Sequence, residues 1–88
     1  MSAQTSLEAM DDMIRALTKF EQDQMDLATQ IRQQYDRIGQ DWNDKQYQNL
    51  GENVSQIITA VSSSYTVISE GITRCQILRR ALEDYLNS

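Results

Sequence analysis

Few residues in this chain can do chemistry. Its 88 residues include one cysteine, Cys75, and no histidine. Catalysis needs convergent groups with tuned protonation, and without His the commonest general base is gone. Cys75 falls on an apolar helical row with no imidazole to take its proton, the setting of a buried, inert thiol. As the only cysteine it has no partner for an internal disulfide. With neither His nor a Cys pair, no zinc set exists. Asp11 with Asp12, and Asp41 with Asp44, lack the loop spacing of a calcium site; helix capping is the better role. No catalytic, metal or cofactor site is expected.

The formal charge is −5, which repels phosphate backbones and disfavours nucleic acid. No apolar run approaches the roughly 18–20 residues of a membrane span. The stretch MSAQTSLEAMDD has no basic region and no apolar core, so it does not read as a cleaved signal peptide. Either the protein stays in the cytoplasm or it leaves by a route that ignores such signals. A chain of this length makes one domain at most, and chains this small without staples often oligomerise. Pro is absent and Gly scarce, a helical composition.

Helix one is read from about Ser6 to Ile38. Thr5 and Glu8 have capping-box spacing. Leu7, Met10, Ile14 and Leu17 alternate three and four apart, one helix face. Met13, Phe20 and Leu27 widen the stripe on one side, and Ala28, Ile31, Tyr35 and Ile38 carry it to the end. Glu21 and Gln24 fall in the seam, so packing there is imperfect or moves to the Phe20–Leu27 row. Gly39 follows, where a left-handed residue commonly closes a helix.

Helix two is read from about residue 44 to 86, with Asn43 and Gln46 at capping-box spacing. Tyr47, Val54, Val61, Ile68, Cys75 and Leu82 recur every seven residues. Leu50, Ile57, Ser64, Gly71, Leu78 and Tyr85 form a companion row. Such sevens indicate coiled-coil packing. A third row, Ile58, Tyr65, Ile72 and Leu86, lies beside the first. One facing helix cannot cover three rows, so the stripe calls for two neighbours. Ser64 and Gly71 are small and one heptad apart: either a flat spot for a close partner helix, or a slack seam beside Tyr65 and Ile72.

The connector, residues 39–43, is short enough to make the helices antiparallel. Folding about Asp41 pairs Asp11 and Asp12 with Arg74, Glu8 with Arg79 and Arg80, and Arg15 with Glu70. Helix two is the longer and should overhang near its C-terminal end. The connector also holds the only Trp. Trp42 either plugs the hairpin end over Tyr35, Ile38, Tyr47 and Leu50, or stands out as a partner anchor, or does both.

Two helices about a central Trp turn, without a signal peptide, resemble the WXG family of small type VII secretion proteins. The family hallmark is Trp-x-Gly at the bend. Here the bend reads Trp42-Asn43-Asp44, with an Asp able to cap helix two in place of the Gly. The family's export signal, Tyr-x-x-x-Asp/Glu, is not found. Tyr65 is followed at that spacing by Ser69, and Tyr85 lies too near the end. In this family a heterodimer partner can contribute that signal. The chain is also similar to divergent helical partners of larger secreted toxins in the same systems. The resemblance implies four-helix dimers, with itself or a related hairpin protein, and a larger secreted helical protein or a secretion ATPase as further partners. It also implies a cytoplasmic stage before export. In size the chain resembles small all-helical chorismate mutases too, for which Arg15, Arg32 and Lys45 would hold a dicarboxylate. That family has three helices, and nothing between Gln46 and Ser88 breaks helix two strongly, Gly71 being the one candidate.

The reading is therefore all-α: one domain, residues 1–88, forming an antiparallel two-helix hairpin that dimerises into a four-helix bundle. The expected function is non-enzymatic protein–protein interaction as a WXG-like secretion substrate or targeting partner. The alternative is a cytoplasmic coiled-coil adaptor or secretion chaperone. The expected interface is Phe20, Leu27, Leu50, Val54, Ile57, Val61, Tyr65, Ile68 and Ile72, with Gly39, Trp42 and Asp44 as the turn motif.

Overall fold

In a computed structural model, which describes residues 3–88, the chain is an all-α helical hairpin. Helix α1 spans Ala3–Asp41 and α2 spans Lys45–Asn87, and the described residues contain no strand. Neither helix is long and apolar enough to cross a membrane.

The helix ends differ from the sequence reading. Thr5 lies inside α1 rather than capping it. Gly39 is helical, since no described residue, glycine included, has a positive φ. The Trp42 amide donates to the Ile38 carbonyl at 3.0 Å and closes the last turn of α1. The turn is thus residues 42–44, and it is Asp44 rather than Asn43 that caps α2. Its carboxylate accepts from the Tyr47 amide at 3.0 Å, and its carbonyl accepts from Gln48. This satisfies orphan donors of the first helical turn. At 39 and 43 residues the helices are closer in length than expected, because α1 gains at both ends.

A later turn also moves the register. Placing the pivot near Asn43 instead of Asp41 slides each facing position by about one helical turn. Asp11 accordingly pairs with Arg79, not Arg74, and Arg15 pairs with Asp12 on its own helix, not with Glu70.

The helices pack as two compact units. The turn unit is Gln22–Tyr65, and the terminal unit is Met1–Glu21 with Thr66–Ser88. In the terminal unit, Leu7 and Cys75 are buried, and Met10, Ile14, Leu17, Ile68, Ile72 and Leu82 are half-buried. Glu21 sits in the seam and accepts from the Ser69 hydroxyl. Arg79 bridges Asp11 and Glu83. In the turn unit, Val54 is buried against half-buried Ala28, Ile31, Ile58 and Val61. Gln24 stays in this seam with its side-chain carbonyl buried and unpaired, a local cost of about 1–3 kcal/mol. The packing does not shift to Phe20 and Leu27, as the sequence had left open; both stay exposed.

One row assignment on α2 is reversed. The partner of the Tyr47–Val54–Val61 row in the seam is the Gly51–Ile58 row, not the Leu50–Ile57 row. Residues Leu50 and Ile57 are left 44% exposed each, as are most of Leu78 and Tyr85. Geometry explains the choice. Two rows four residues apart flank a narrow seam, and the first heptad row has such neighbours on either side. The side carrying Gly51 wins because Gly51 lets an aromatic ring from α1 lie against it.

Candidate interaction surface

Two five-residue segments repeat a pattern: Tyr35-Asp-Arg-Ile38-Gly39 on α1 and Tyr47-Gln-Asn-Leu50-Gly51 on α2. The spacing of four puts each Tyr and its Gly on one face. In the turn unit the two tyrosines stack, with ring centroids 4.2 Å apart and planes 4° from parallel. The Tyr35 hydroxyl donates to the Tyr47 carbonyl at 3.2 Å, and the Tyr47 hydroxyl donates to the Tyr35 carbonyl at 3.1 Å. Each ring extends over the other helix's glycine. A Cβ on Gly51 would lie 3.0 Å from Tyr35 Cζ, and one on Gly39 only 3.1 Å from Tyr47 Cε1, with the hydroxyls closer still. Both glycines are therefore there for close approach, not for backbone freedom. Burial and the neighbouring Tyr35 push the Tyr47 phenol up from its ordinary value. The chain sets two-fold aromatic packing where the sequence reading had put a glycine cap, and the repeated Tyr-x-x-Ile/Leu-Gly was the available signal.

This clasp closes the hairpin end and removes the need for a plug. Trp42 is 64% exposed. The plug reading is overturned, because the stacked tyrosines already fill the space a plug would take. The Asp44 carboxylate beside Trp42 is held below the ordinary carboxylate range first by the Tyr47 amide, then by the nearby indole and by the amides of Gln46 and Asp44 itself, against an opposing effect of burial.

Because the native Asp44 pKa is depressed, its contribution to stability is present above about pH 4 and is lost as pH falls through the native value. Asp44→Ala should lower the thermal midpoint by a few degrees at neutral pH. It should also flatten the acid limb of a stability curve measured by circular dichroism. An unchanged acid limb would remove Asp44 from the account.

Ile38 and Leu50 stand one residue before the clasp glycines, so both reach the same flank of the turn unit. Together with Leu27, Gln30, Ile31, Gln34, Tyr35 and Val54 they line a groove of about 330 Å³. Leu27 is 56% exposed and Ile38 is 48% exposed. Ile57 follows Leu50 on the same row of α2. A second groove of about 340 Å³ is lined by Met25, Ala28, Thr29, Ile58, Val61, Ser62 and Tyr65. Met25 and Leu27 are two residues apart and face different ways, so the grooves open on different flanks. The second flank carries Gln48, Ser55 and Ser62 along α2 where the first carries Leu50 and Ile57.

The expected interface residues accordingly divide. In the turn unit Leu27, Leu50 and Ile57 are exposed on one flank, and in the terminal unit Phe20 is exposed on the matching row of α1. Tyr65 is exposed beside the other groove. Val54 is buried in the hairpin's own seam, where Val61, Ile68 and Ile72 also lie half-buried. Of the turn motif, Asp44 caps α2, Trp42 is exposed, and Gly39 belongs to the clasp.

The residues with chemical potential do not converge. Cys75 is 8% exposed and its thiol points to the Met10 carbonyl at 3.6 Å. Among the described residues no group of three His, Cys, Asp or Glu side chains gathers as a metal site. Arg79 and Arg80 meet Gln76 and Glu83 in an open polar groove of about 350 Å³, where Arg79 is already engaged by Asp11 and Glu83. Compared with family models, curated proteins and solved structures, the chain matches none.

Proposed function

We propose that this chain is a non-enzymatic protein–protein interaction module. In this reading its hairpin pairs through an open apolar flank with a second helical hairpin, as a WXG-like substrate or targeting partner of a type VII-like secretion system. One observation carries the reading: Leu27, Ile38 and Leu50 line one groove, Ile57 follows Leu50 one heptad along α2, and each is about half exposed. Scattered exposed apolar residues are ordinary, whereas a contiguous patch marks an interaction site. The side chains come from two helices joined by the Tyr–Gly clasp, and a preformed surface lowers the ordering cost of binding. Exposed Trp42 supplies an anchor of a residue type enriched in binding hot spots.

The departure of Trp42-Asn43-Asp44 from Trp-x-Gly favours a second reading, a coiled-coil adaptor or secretion chaperone that keeps to the cytoplasm. An export assay separates the two. With the chain expressed at its native level, the secretion reading expects it in the medium, lost when the membrane ATPase of the system is inactivated. Retention in cells whether or not that ATPase works would leave the adaptor. Trp42→Ala should keep the thermal midpoint within a degree or two, because the clasp and not the indole closes the hairpin, while weakening partner capture about tenfold or more. A large fall in the midpoint would return Trp42 to a structural role.

A further inference from the structure

We propose that Tyr35 and Tyr47 form an oxidative cross-linking site, at which a one-electron oxidant of the haem-peroxidase class joins α1 to α2 through a dityrosine. The site is the clasp itself and is independent of what covers the open flank. Both residues belong to the turn unit. Their ring centroids are 4.2 Å apart and their planes 4° from parallel, so the π faces are in contact. Each hydroxyl donates to the other residue's backbone carbonyl, at 3.2 and 3.1 Å, so the rings point in opposite directions. Gly39 and Gly51, where a Cβ would collide with the phenols, leave the room that seats them.

A phenol that loses one electron and its hydroxyl proton becomes a phenoxyl radical. Its spin lies on the oxygen and on the ring carbons ortho and para to it. The para carbon carries the side chain, which leaves the ortho carbons, Cε1 and Cε2, free to bond. Radicals in free solution must find each other, whereas in the clasp they start in contact, and proximity of this kind raises effective concentration by orders of magnitude. One Cε–Cε bond forms between the rings. Each joined carbon then gives its hydrogen to water as a proton, and each oxygen regains one. The phenols together lose two electrons and two protons. One hydrogen peroxide, acting through the peroxidase, takes them up with two further protons released in forming the radicals and returned to the oxygens, and is reduced to two waters.

Both rings are half-buried rather than sealed, so electrons and protons can leave them. The remaining tyrosines are placed differently. Tyr65 is 40% exposed and lies about 27 Å further along α2 than Tyr47, out of reach of the clasp. Tyr85 is 75% exposed near the end of α2. A radical on either of these exposed rings is open to a second chain, which makes multimers. The clasp pair instead makes a bond within one chain. With a single cysteine the hairpin has no internal disulfide, and a carbon–carbon bond across the clasp has the same consequence. It closes the loop between residues 35 and 47 and removes freedom from the unfolded chain. Thiols do not reverse it.

The purified full chain, treated with a haem peroxidase and limiting hydrogen peroxide, tests this by dityrosine fluorescence and by the mass of the denatured product. Wild type should give a fluorescent single chain two hydrogens lighter, whose digest holds a cross-linked peptide joining Tyr35 to Tyr47. Its yield per chain should not fall on dilution. The product should melt several degrees above the untreated chain. Tyr35→Phe keeps a ring in the stack but no oxygen to carry the radical, so single-chain product should fall at least about tenfold. The double variant Tyr65→Phe, Tyr85→Phe should keep the wild-type yield, and it keeps the test decisive should Tyr35→Phe fail to fold. Cross-linked multimers alone, or oxygen uptake at Trp42 with no cross-link, overturn the site. So does a single-chain product that survives Tyr35→Phe or is lost in the double variant. A Tyr35–Tyr47 product that melts no higher overturns the staple.

Discussion

Val54→Asp will unfold the hairpin, and Ile57→Asp will leave it folded but unable to associate. The two valine and isoleucine positions are three residues apart on α2, yet Val54 is 8% exposed and Ile57 is 44% exposed. A carboxylate at 54 would be taken out of water between the helices, at a cost on the order of 4 kcal/mol. A domain of this size has a total stability of only about 5–10 kcal/mol, so little folded population would survive. At 57 the same carboxylate points to solvent in the isolated chain and is penalised only when a partner covers it. Far-ultraviolet circular dichroism reads the first effect, and sedimentation the second. From sequence alone Val54 and Ile57 belong to one expected interface, so a shared outcome for both variants would mean that the two rows of α2 are wrongly assigned.

Gly51→Ala carries the second large effect, and its sign runs against helix propensity. In an exposed helix interior the change would stabilise by about 1 kcal/mol. Here the new methyl displaces the Tyr35 ring, which is fixed by its stack on Tyr47 and by its hydroxyl donating to the Tyr47 carbonyl. Overpacking of this kind costs about 1–3 kcal/mol, and loss of the aromatic pair adds about 0.5–1.5 kcal/mol. The net expectation is destabilisation of about 2 kcal/mol, read as a lower urea midpoint with an unchanged slope. Gly71→Ala is the internal control, since its methyl meets only an ordinary contact. If both alanines stabilise the hairpin, the clasp does not hold it.

The helices were legible because their apolar residues recur at three and four residues over dozens of positions, with no Pro to interrupt them. Leu7, Met10, Ile14 and Leu17 fall in the seam where periodicity puts them, and so do Val54, Val61 and Cys75. The choice between the two rows flanking that set was not legible. Leu50 and Ile57 are greasier than Gly51, and a hydrophobicity argument puts them inward. The clasp reverses this, because a glycine that admits a tyrosine ring contributes more to the seam than its own lack of side chain suggests. The same device hid the end of α1. Gly39 looks like a helix terminator only when the aromatic ring arriving from residue 47 is left out. Asp44 is legible as a cap from its type, but which of Asn43 and Asp44 caps α2 depends on where the turn starts, and helix boundaries shift by a residue or two at each end.

The charge pairs show how such an error spreads. Charge complementarity puts Asp11 and Arg79 on facing segments of an antiparallel pair, with Asp11 expected at Arg74 and Arg79 at Glu8, whereas the two meet each other. A turn set two residues early moved the expected partner to Arg74 and left Arg15 facing Glu70. Exposed pairs contribute little energy and follow the register set by the apolar seam and the clasp; they do not set it.

The claim on which the functional account turns is that this hairpin is complete at its turn and incomplete along one flank. The most direct measurement is the native mass of the chain isolated from its own host at its natural level, beside a Leu27→Asp, Ile57→Asp variant. The account predicts that wild type is recovered as a dimer of hairpins of defined stoichiometry, and that the variant is recovered as a single helical chain. A wild type recovered alone, folded and with the same mass as the variant would contradict it.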